Sequence, residues 1–273
     1  MKHIRPLVKY HGGKGRLHQW VISHFPPHKT FVEPFGGAAS VLLNKSPVAV
    51  EVYNELEFDM FNLMHIVKSD FDNFSTQVAA FEYSKPTFLA QKELWLNGKF
   101  NSNLDRAVCF YAVKRMSRGG LCQRFSWSNR IYSTGPAEEH CWKSSLINLK
   151  PIRDRLSNVI LRNEDAFSIL SEYLNNEECL LYLDPPYLTS TRVYKKAYDH
   201  EFNIKDHEHL AKLILPAKAK IILSGYPSEP YAGWFADWYV YEKDVANHSS
   251  QYNGKAKVRK QEVLWANHKL SMN

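Results

Sequence analysis

Cys179-Leu180-Leu181-Tyr182-Leu183-Asp184-Pro185-Pro186-Tyr187 is the stretch that decides the reading of this chain. Its first five residues form a continuous apolar run, the pattern of a strand buried on both faces of a parallel sheet. The run stops at an acid, two prolines and an aromatic ring. Proline fixes its own φ, lacks an N–H and restricts the residue before it, so Pro185 and Pro186 stiffen the exit from the strand. Asp184 offers acceptor oxygens, each proline offers a carbonyl, and Tyr187 offers a ring for stacking. A rigid, acceptor-rich slot beside a ring suits an exocyclic amino group on a planar base. A strand followed by Asp-Pro is also an ordinary turn signal. The choice between the two rests on the rest of the chain.

Further short apolar stretches occur at Thr30–Val32, Pro47–Val52, Val159–Leu161, Lys220–Leu223, Trp238–Tyr241 and Glu262–Ala266. They alternate with helical patterns, which predicts βαβ units around a mostly parallel sheet. Pro47 can only begin its strand. Phe202 to Leu215 carries Leu210, Leu213 and Ile214 at helical spacing. The last two strands have no helical pattern between them and are expected to form an antiparallel hairpin at one end of the sheet. The interval between the second and third strands is too long for a crossover. It predicts an inserted, mainly helical subdomain over 56–155, leaving 1–55 and 156–273 for the sheet domain.

The second part of that insertion, Lys92 to Arg155, has twelve Lys/Arg against five Asp/Glu, interleaved with Tyr111, Phe125, Trp127 and Tyr132. Cations among aromatics and turn formers (Ser117-Arg118-Gly119-Gly120) suit either a nucleic-acid surface or a solvated helical face. The net charge of +7 is compatible with a polyanionic partner. The four cysteines show no C-x-x-C and no metal-ligand spacing, so reduced thiols and no metal site are expected. No apolar run reaches the roughly 20 residues that span a bilayer. Met1 to Tyr10 has no signal-peptide core. A cytoplasmic protein without a membrane partner is expected.

Phe31-Val32-Glu33-Pro34-Phe35-Gly36-Gly37-Ala38-Ala39-Ser40 reads as a strand, an acid, a glycine turn and a helix start. Ligands of α/β sheets sit outside the carboxyl ends of the strands, where glycine lets the backbone approach closely. The spacing does not give G-x-G-x-x-G, so no dinucleotide fingerprint is present. Glu33 at the strand tip suits an ammonium group. Glu55, after the second strand, suits ribose hydroxyls, with Glu51 as the alternative; it could equally be an acid that starts the next helix. Asp165, after the third strand, suits an adenine amino group beside Phe167, or else a helix N-cap. Tyr10 and Lys14 flank the turn of Lys9-Tyr10-His11-Gly12-Gly13-Lys14 and could reach a carboxylate or phosphate.

In this order the segments resemble the DNA adenine methylase family, the Dam-type amino-methyltransferases, over nearly the whole chain. Lys9 to Lys14 is similar to its K-[WY]-x-G-G-K, and Phe31 to Ser40 to its F-V-E-P-F-x-G-x-[GA]-S. Tyr53-Asn54-Glu55 resembles its N-D, Asp165 its next acid, and Asp184 to Tyr187 its D-P-P-Y. Ile221 to Tyr226 and Glu262 to Trp265 resemble later segments. Two positions depart: Ala39 stands for a glycine, and Glu55 for an aspartate.

The resemblance implies a Rossmann-like, mostly parallel methyltransferase sheet with an antiparallel terminal hairpin and a helical target-recognition insertion. It implies S-adenosylmethionine as methyl donor, without a metal, and N6 of adenine in double-stranded DNA as acceptor. Cofactor contacts are then expected from Tyr10, Lys14, Glu33, Phe35, Gly37, Glu55, Asp165 and Asp184. Catalysis falls to Asp184, Pro185 and Tyr187, with the base rotated out of the duplex. From the charge pattern, DNA contacts are expected from Arg115, Arg118 and Arg124, while Lys257 and Arg259, in the basic run Lys255 to Lys260, read either as phosphate contacts or as part of a solvated loop. A bacterial or phage-encoded monomer follows, with a cognate restriction endonuclease as a possible partner and G-A-T-C as the family's commonest target. Cytosine N4, RNA amino groups, or a silent nucleic-acid-binding module of the same fold are the alternatives.

Overall fold

The computed structural model describes residues 3–10, 12–133, 135–188, 202–246 and 259–269. In chain order its elements are α1 (His18–Ile22), β1 (Thr30–Glu33), β2 (Val50–Asn54), α2 (Phe58–Ser69), α3 (Phe71–Ala79), α4 (Lys85–Asn97), α5 (Asn103–Met116), β3 (Ile131–Tyr132), β4 (Gly135–Pro136), α6 (Ala137–Ile147), α7 (Leu149–Leu156), β5 (Ile160–Arg162), α8 (Ala166–Tyr173), β6 (Cys179–Leu183), α9 (Ile204–Ile214), β7 (Lys220–Gly225), α10 (Glu229–Trp234), β8 (Tyr239–Ala246) and β9 (Arg259–Ala266). They fall into two compact units. One comprises Met1–Ile22, Gly36–Pro47 and Glu55–Asn163; the other comprises Ser23–Phe35, Val48–Asn54 and Glu164–Asn273.

The second unit carries the sheet. Its strands stand in the order β2-β1-β6-β7-β9-β8. β1 is parallel to β2 and β6, and β6 to β7. β9 runs antiparallel to both β7 and β8, the expected terminal hairpin. Every residue of β6 is buried, as its unbroken apolar run requires. One face of the core is built from Val32, Val52, Leu181, Leu183, Ile221 and Leu223 against Ile169, Leu170, Leu210 and Ile214 of α8 and α9. α9 is started by Asn203, whose side chain caps the backbone N–H of Lys205 and Asp206 while Asp206 answers back to the Asn203 N–H.

The first unit is helical. α5 is apolar nearly all round, with Ala107 through Val113 and Met116 buried, and α2, α3 and α4 pack about it. Tyr111 sits edge-on to Phe74 at 5.5 Å and donates to Ser145 Oγ at 2.9 Å, while Ser145 donates to Trp142 O at 2.7 Å. The N-terminal segment is fastened to this bundle. Arg115 donates to the Pro6 carbonyl, Lys9 Nζ donates to Ser117 O at 3.5 Å, and Asn148 Nδ2 donates to Arg5 O at 2.6 Å.

Three expectations change. The second strand begins at Val50, three residues after Pro47, and runs to Asn54. The segment after the glycine turn is a chain of turns, with Ala39 N donating to Gly36 O and Leu43 N to Ala39 O, and no regular helix over 36–46. Ala39 lies at φ 54, a left-handed conformation that interrupts helix propagation. A small hairpin, β3 with β4, escapes sequence reading because two-residue strands carry no alternation.

The Arg118-Gly119-Gly120 turn is shaped by the N-terminal segment. Gly120 has φ +74, and a Cβ there would lie 2.0 Å from the Lys9 carbonyl oxygen. Gly98 has φ +65 with nothing within 4 Å. Gly120→Ala should therefore cost roughly 2–4 kcal/mol, the sum of overpacking and a left-handed alanine. Gly98→Ala should cost only about 1 kcal/mol. Urea unfolding of the two variants checks this; equal losses would contradict the contact.

Candidate active site

Parallel strands deliver their carboxyl ends to one edge of a sheet, so the residues just past β1, β2 and β6 gather there. Glu33 ends β1 and is only 3% exposed. Asn54 ends β2 and is fully buried. Its amide nitrogen donates to Pro34 O at 3.0 Å and Glu164 O at 2.9 Å, and its oxygen accepts from Glu164 N at 3.0 Å. One side chain thus holds the exit of β1, the exit of β2 and the segment leading to α8. Asp165 follows directly, is exposed, and accepts from Phe167 N at 2.9 Å as the N-cap of α8. Phe35 meets Phe202 edge-on at 5.5 Å, and Phe202 stacks on Phe167 at 5.7 Å. An aromatic corner therefore stands beside Glu33 and Asp165.

Asp184 leaves β6 half-buried, Pro185 is buried and Pro186 half-buried. Tyr187 turns inward. Its hydroxyl donates to Glu262 Oε2 at 3.0 Å and pairs with Ser224 Oγ at 2.9 Å, and its ring meets Tyr226 edge-on at 4.6 Å. Burial, Asp184 and Glu262 all hold the Tyr187 phenol well above its usual pKa, so it stays protonated and donating. Ser224, Tyr226 and Glu262 lie in segments that resemble the family, but sequence reasoning gave them no role. The available signal was a serine after the apolar run Ile221-Ile222-Leu223 and a glutamate directly before the apolar run Val263-Leu264-Trp265-Ala266.

The first unit holds a separate cluster. Gly37 N donates to Glu55 Oε2 at 2.6 Å and Glu57 N to Glu55 Oε1 at 2.9 Å, so each carboxylate oxygen of Glu55 takes one backbone donor. The Tyr10 ring lies on Gly37, where a Cβ would approach it to 3.2 Å, and its hydroxyl donates to Glu57 Oε2 at 3.3 Å. Lys14 is buried, and its carbonyl accepts from Leu17 N and His18 N at 2.8 Å each. Glu51, the alternative to Glu55, lies inside β2 opposite Phe31. Glu57 was missed, because an acid preceding a helix looks like any N-terminal charge.

Of the DNA candidates, Arg118 and Arg124 are exposed and joined through the backbone, Arg118 N to Arg124 O at 2.8 Å. Half-buried Phe125, bridged to Ser117, and exposed Trp127 follow directly after Arg124. Arg115 has a different part. Its guanidinium is tied to Pro6 O and lies 5.8 Å from the Tyr111 ring centre, inside the helical bundle. Lys257 lies outside the described residues, and Arg259 is described only as the first residue of β9. Among the described residues no group of three or more His, Cys, Asp or Glu could hold a metal ion, and no helix is long and apolar enough to cross a membrane.

Burial raises Glu55 from 4.5 to about 7, partly offset by its backbone donors. The folded state therefore binds this proton more tightly than the unfolded state between those values. Its contribution to stability is full below about pH 4.5 and is lost as pH rises through about 7. The loss is on the order of 3 kcal/mol. Glu55→Gln should cost about 1 kcal/mol at pH 5, because its amide turns a donor toward one N–H, and should flatten the pH dependence. Denaturation at pH 5 and pH 8 decides; parallel curves for parent and variant would contradict the assignment.

The family described as D12 class N6 adenine-specific DNA methyltransferase matches residues 10–256. A DNA adenine methylase of Serratia marcescens is 25% identical over 263 residues, covering 86% of this chain and 88% of that protein. The DNA adenine methylase of Escherichia coli K12 is 24% identical over 248 residues, covering 86% and 85%. That of Haemophilus influenzae is 27% identical over 225 residues, covering 78% and 74%. With nine-tenths of its length inside the match, this chain belongs to the D12 class of N6 adenine-specific DNA methyltransferases.

Proposed function

We propose that the slot at the end of β6 receives the N6 amino group of an adenine in duplex DNA, and that Asp184, Pro185 and Tyr187 perform the transfer chemistry. The observation that carries this is the geometry of the turn: Asp184 half-buried at its lip, two prolines behind it, and Tyr187 anchored by Ser224 and Glu262. Asp184 and the Pro185 carbonyl accept the two N6 hydrogens. Held at both, the nitrogen is drawn toward tetrahedral geometry, and its lone pair leaves conjugation with the ring. Tyr187 stacks on the base through its ring, while its hydroxyl stays bonded to Ser224 and Glu262. Rotating the adenine out of the duplex costs a few kcal/mol, roughly, and stacking on an aromatic offsets part of that. Catalysis rests on positioning and preorganised dipoles, so no covalent protein intermediate is required.

The donor set fits S-adenosylmethionine, a cationic ligand. Glu33 is a buried carboxylate at a strand tip, and Asp165 and Asp184 stand past the same sheet edge. When bound, S-adenosylmethionine supplies the electrophilic methyl group. Glu33 would hold its ammonium end and Asp165 its adenine amino group, with Phe35 and Phe167 packing alongside. By the family motifs, Tyr10, Lys14, Gly37 and Glu55 belong to the same ligand. The exposed Arg118 and Arg124 beside Trp127 support the helical unit as the target-recognition surface, since cation-and-aromatic surfaces hold phosphates and bases.

Asp184→Ala should abolish methyl transfer while leaving most of the S-adenosylmethionine affinity in place. Labelled-methyl incorporation into duplex DNA, together with calorimetric binding, tests this. Turnover near the parent rate would remove Asp184 from catalysis.

A further inference from the structure

Tyr187 is 8% exposed, Ser224 1% and Glu262 6%. The three come from the D-P-P-Y turn, β7 and β9, with Ser224 opposite Leu264 in the β7–β9 register. Their bonds form a directed chain: the Tyr187 hydroxyl donates to Glu262 Oε2 at 3.0 Å, which leaves its oxygen to accept from Ser224 Oγ at 2.9 Å. A carboxylate inside a buried strand is expensive unless hydrogen-bonded, and apolar residues of similar size often stabilise such a place better. Packing alone therefore does not explain Glu262 between Gln261 and Val263. The turn itself explains more. Asp184 and Tyr187 are separated only by two prolines, whose φ angles are fixed. The turn is thus a stiff link with two fastened ends, β6 on one side and the Tyr187 hydroxyl on the other. Fixing the hydroxyl fixes where the Asp184 carboxylate and the Pro185 carbonyl stand.

We propose that Ser224 and Glu262 are positioning residues for methyl transfer, which act by holding the D-P-P-Y turn through the Tyr187 hydroxyl. This rests on the reading of the slot as the amino-group site. Neither residue touches the base; each acts through Tyr187.

The test uses the full chain with unmethylated genomic DNA, enzyme in excess and labelled S-adenosylmethionine. It measures the single-turnover rate, the calorimetric Kd for S-adenosylmethionine and the thermal midpoint. Tyr187→Phe keeps the ring and removes only the hydroxyl. It should slow transfer about tenfold or more, the scale of one lost buried hydrogen bond, with Kd within about twofold. Glu262→Ala should slow transfer to a similar degree, and Glu262→Gln, whose amide oxygen still accepts from Tyr187, should regain most of that loss. The double variant Tyr187→Phe/Glu262→Ala should be no slower than about threefold below the slower single, because both remove one interaction. If Glu262→Ala does not fold, the thermal midpoint reports it and Tyr187→Phe decides. A Tyr187→Phe rate within about twofold of the parent, with Asp184→Ala inactive, overturns the positioning role and leaves the site reading intact. A parent-like rate in Asp184→Ala overturns the site reading itself.

Discussion

The buried amide of Asn54 is the constraint on which the candidate site depends. A parallel sheet brings strand ends to one edge but does not fix the segments that leave them. Asn54 does that with three bonds, two donated to Pro34 O and Glu164 O and one accepted from Glu164 N. The exit of β1 with Glu33, the exit of β2, and the approach to α8 with Asp165 are thereby one hydrogen-bonded unit. Both polar atoms of the amide are used at a fully buried residue, where each bond is worth more than at the surface. An aspartate in its place would present acceptors to two carbonyls. The sequence Val52-Tyr53-Asn54-Glu55 reads as an acid-bearing motif, yet the asparagine secures the sheet edge and the acid secures the glycine turn.

The acids divide by what surrounds them. Glu55 accepts two backbone N–H groups and is buried enough to be raised to about 7, so its first task is to close the turn at Gly37. Asp165 caps a helix and remains exposed. Glu262 is buried within β9 and accepts a hydrogen bond from the Tyr187 hydroxyl. Asp184 stands half-buried at the lip of a proline-stiffened turn. Four carboxylates that look interchangeable in sequence thus carry different work, set by the donors each one faces.

Much of the sheet was legible because buried parallel strands are unbroken apolar runs, and β1, β6, β7 and β9 stand where those runs predicted. The antiparallel end was legible from the missing crossover helix. What failed was local. Pro47 read as a strand opener, but pairing starts at Val50, where the backbone first meets β1. The stretch after Gly37 read as a helix start, but Ala39 takes a left-handed conformation. In the site, the order of motifs was legible and the orientations were not. Nothing in D-P-P-Y says that the tyrosine hydroxyl points inward, since its partners lie 37 and 75 residues away. Arg115 read as a surface cation because charge is visible in sequence, and the Pro6 carbonyl that holds it is not.

In the proposed reaction, the slot formed by the end of β6 selects an adenine amino group in DNA for methylation. The most direct measurement incubates the purified chain with labelled-methyl S-adenosylmethionine and unmethylated genomic DNA, then hydrolyses the DNA to nucleosides and separates them. The expected result is label in the N6-methyladenine nucleoside, at positions that share one sequence context. Label in N4-methylcytosine, or DNA that is bound but carries no label, would contradict it.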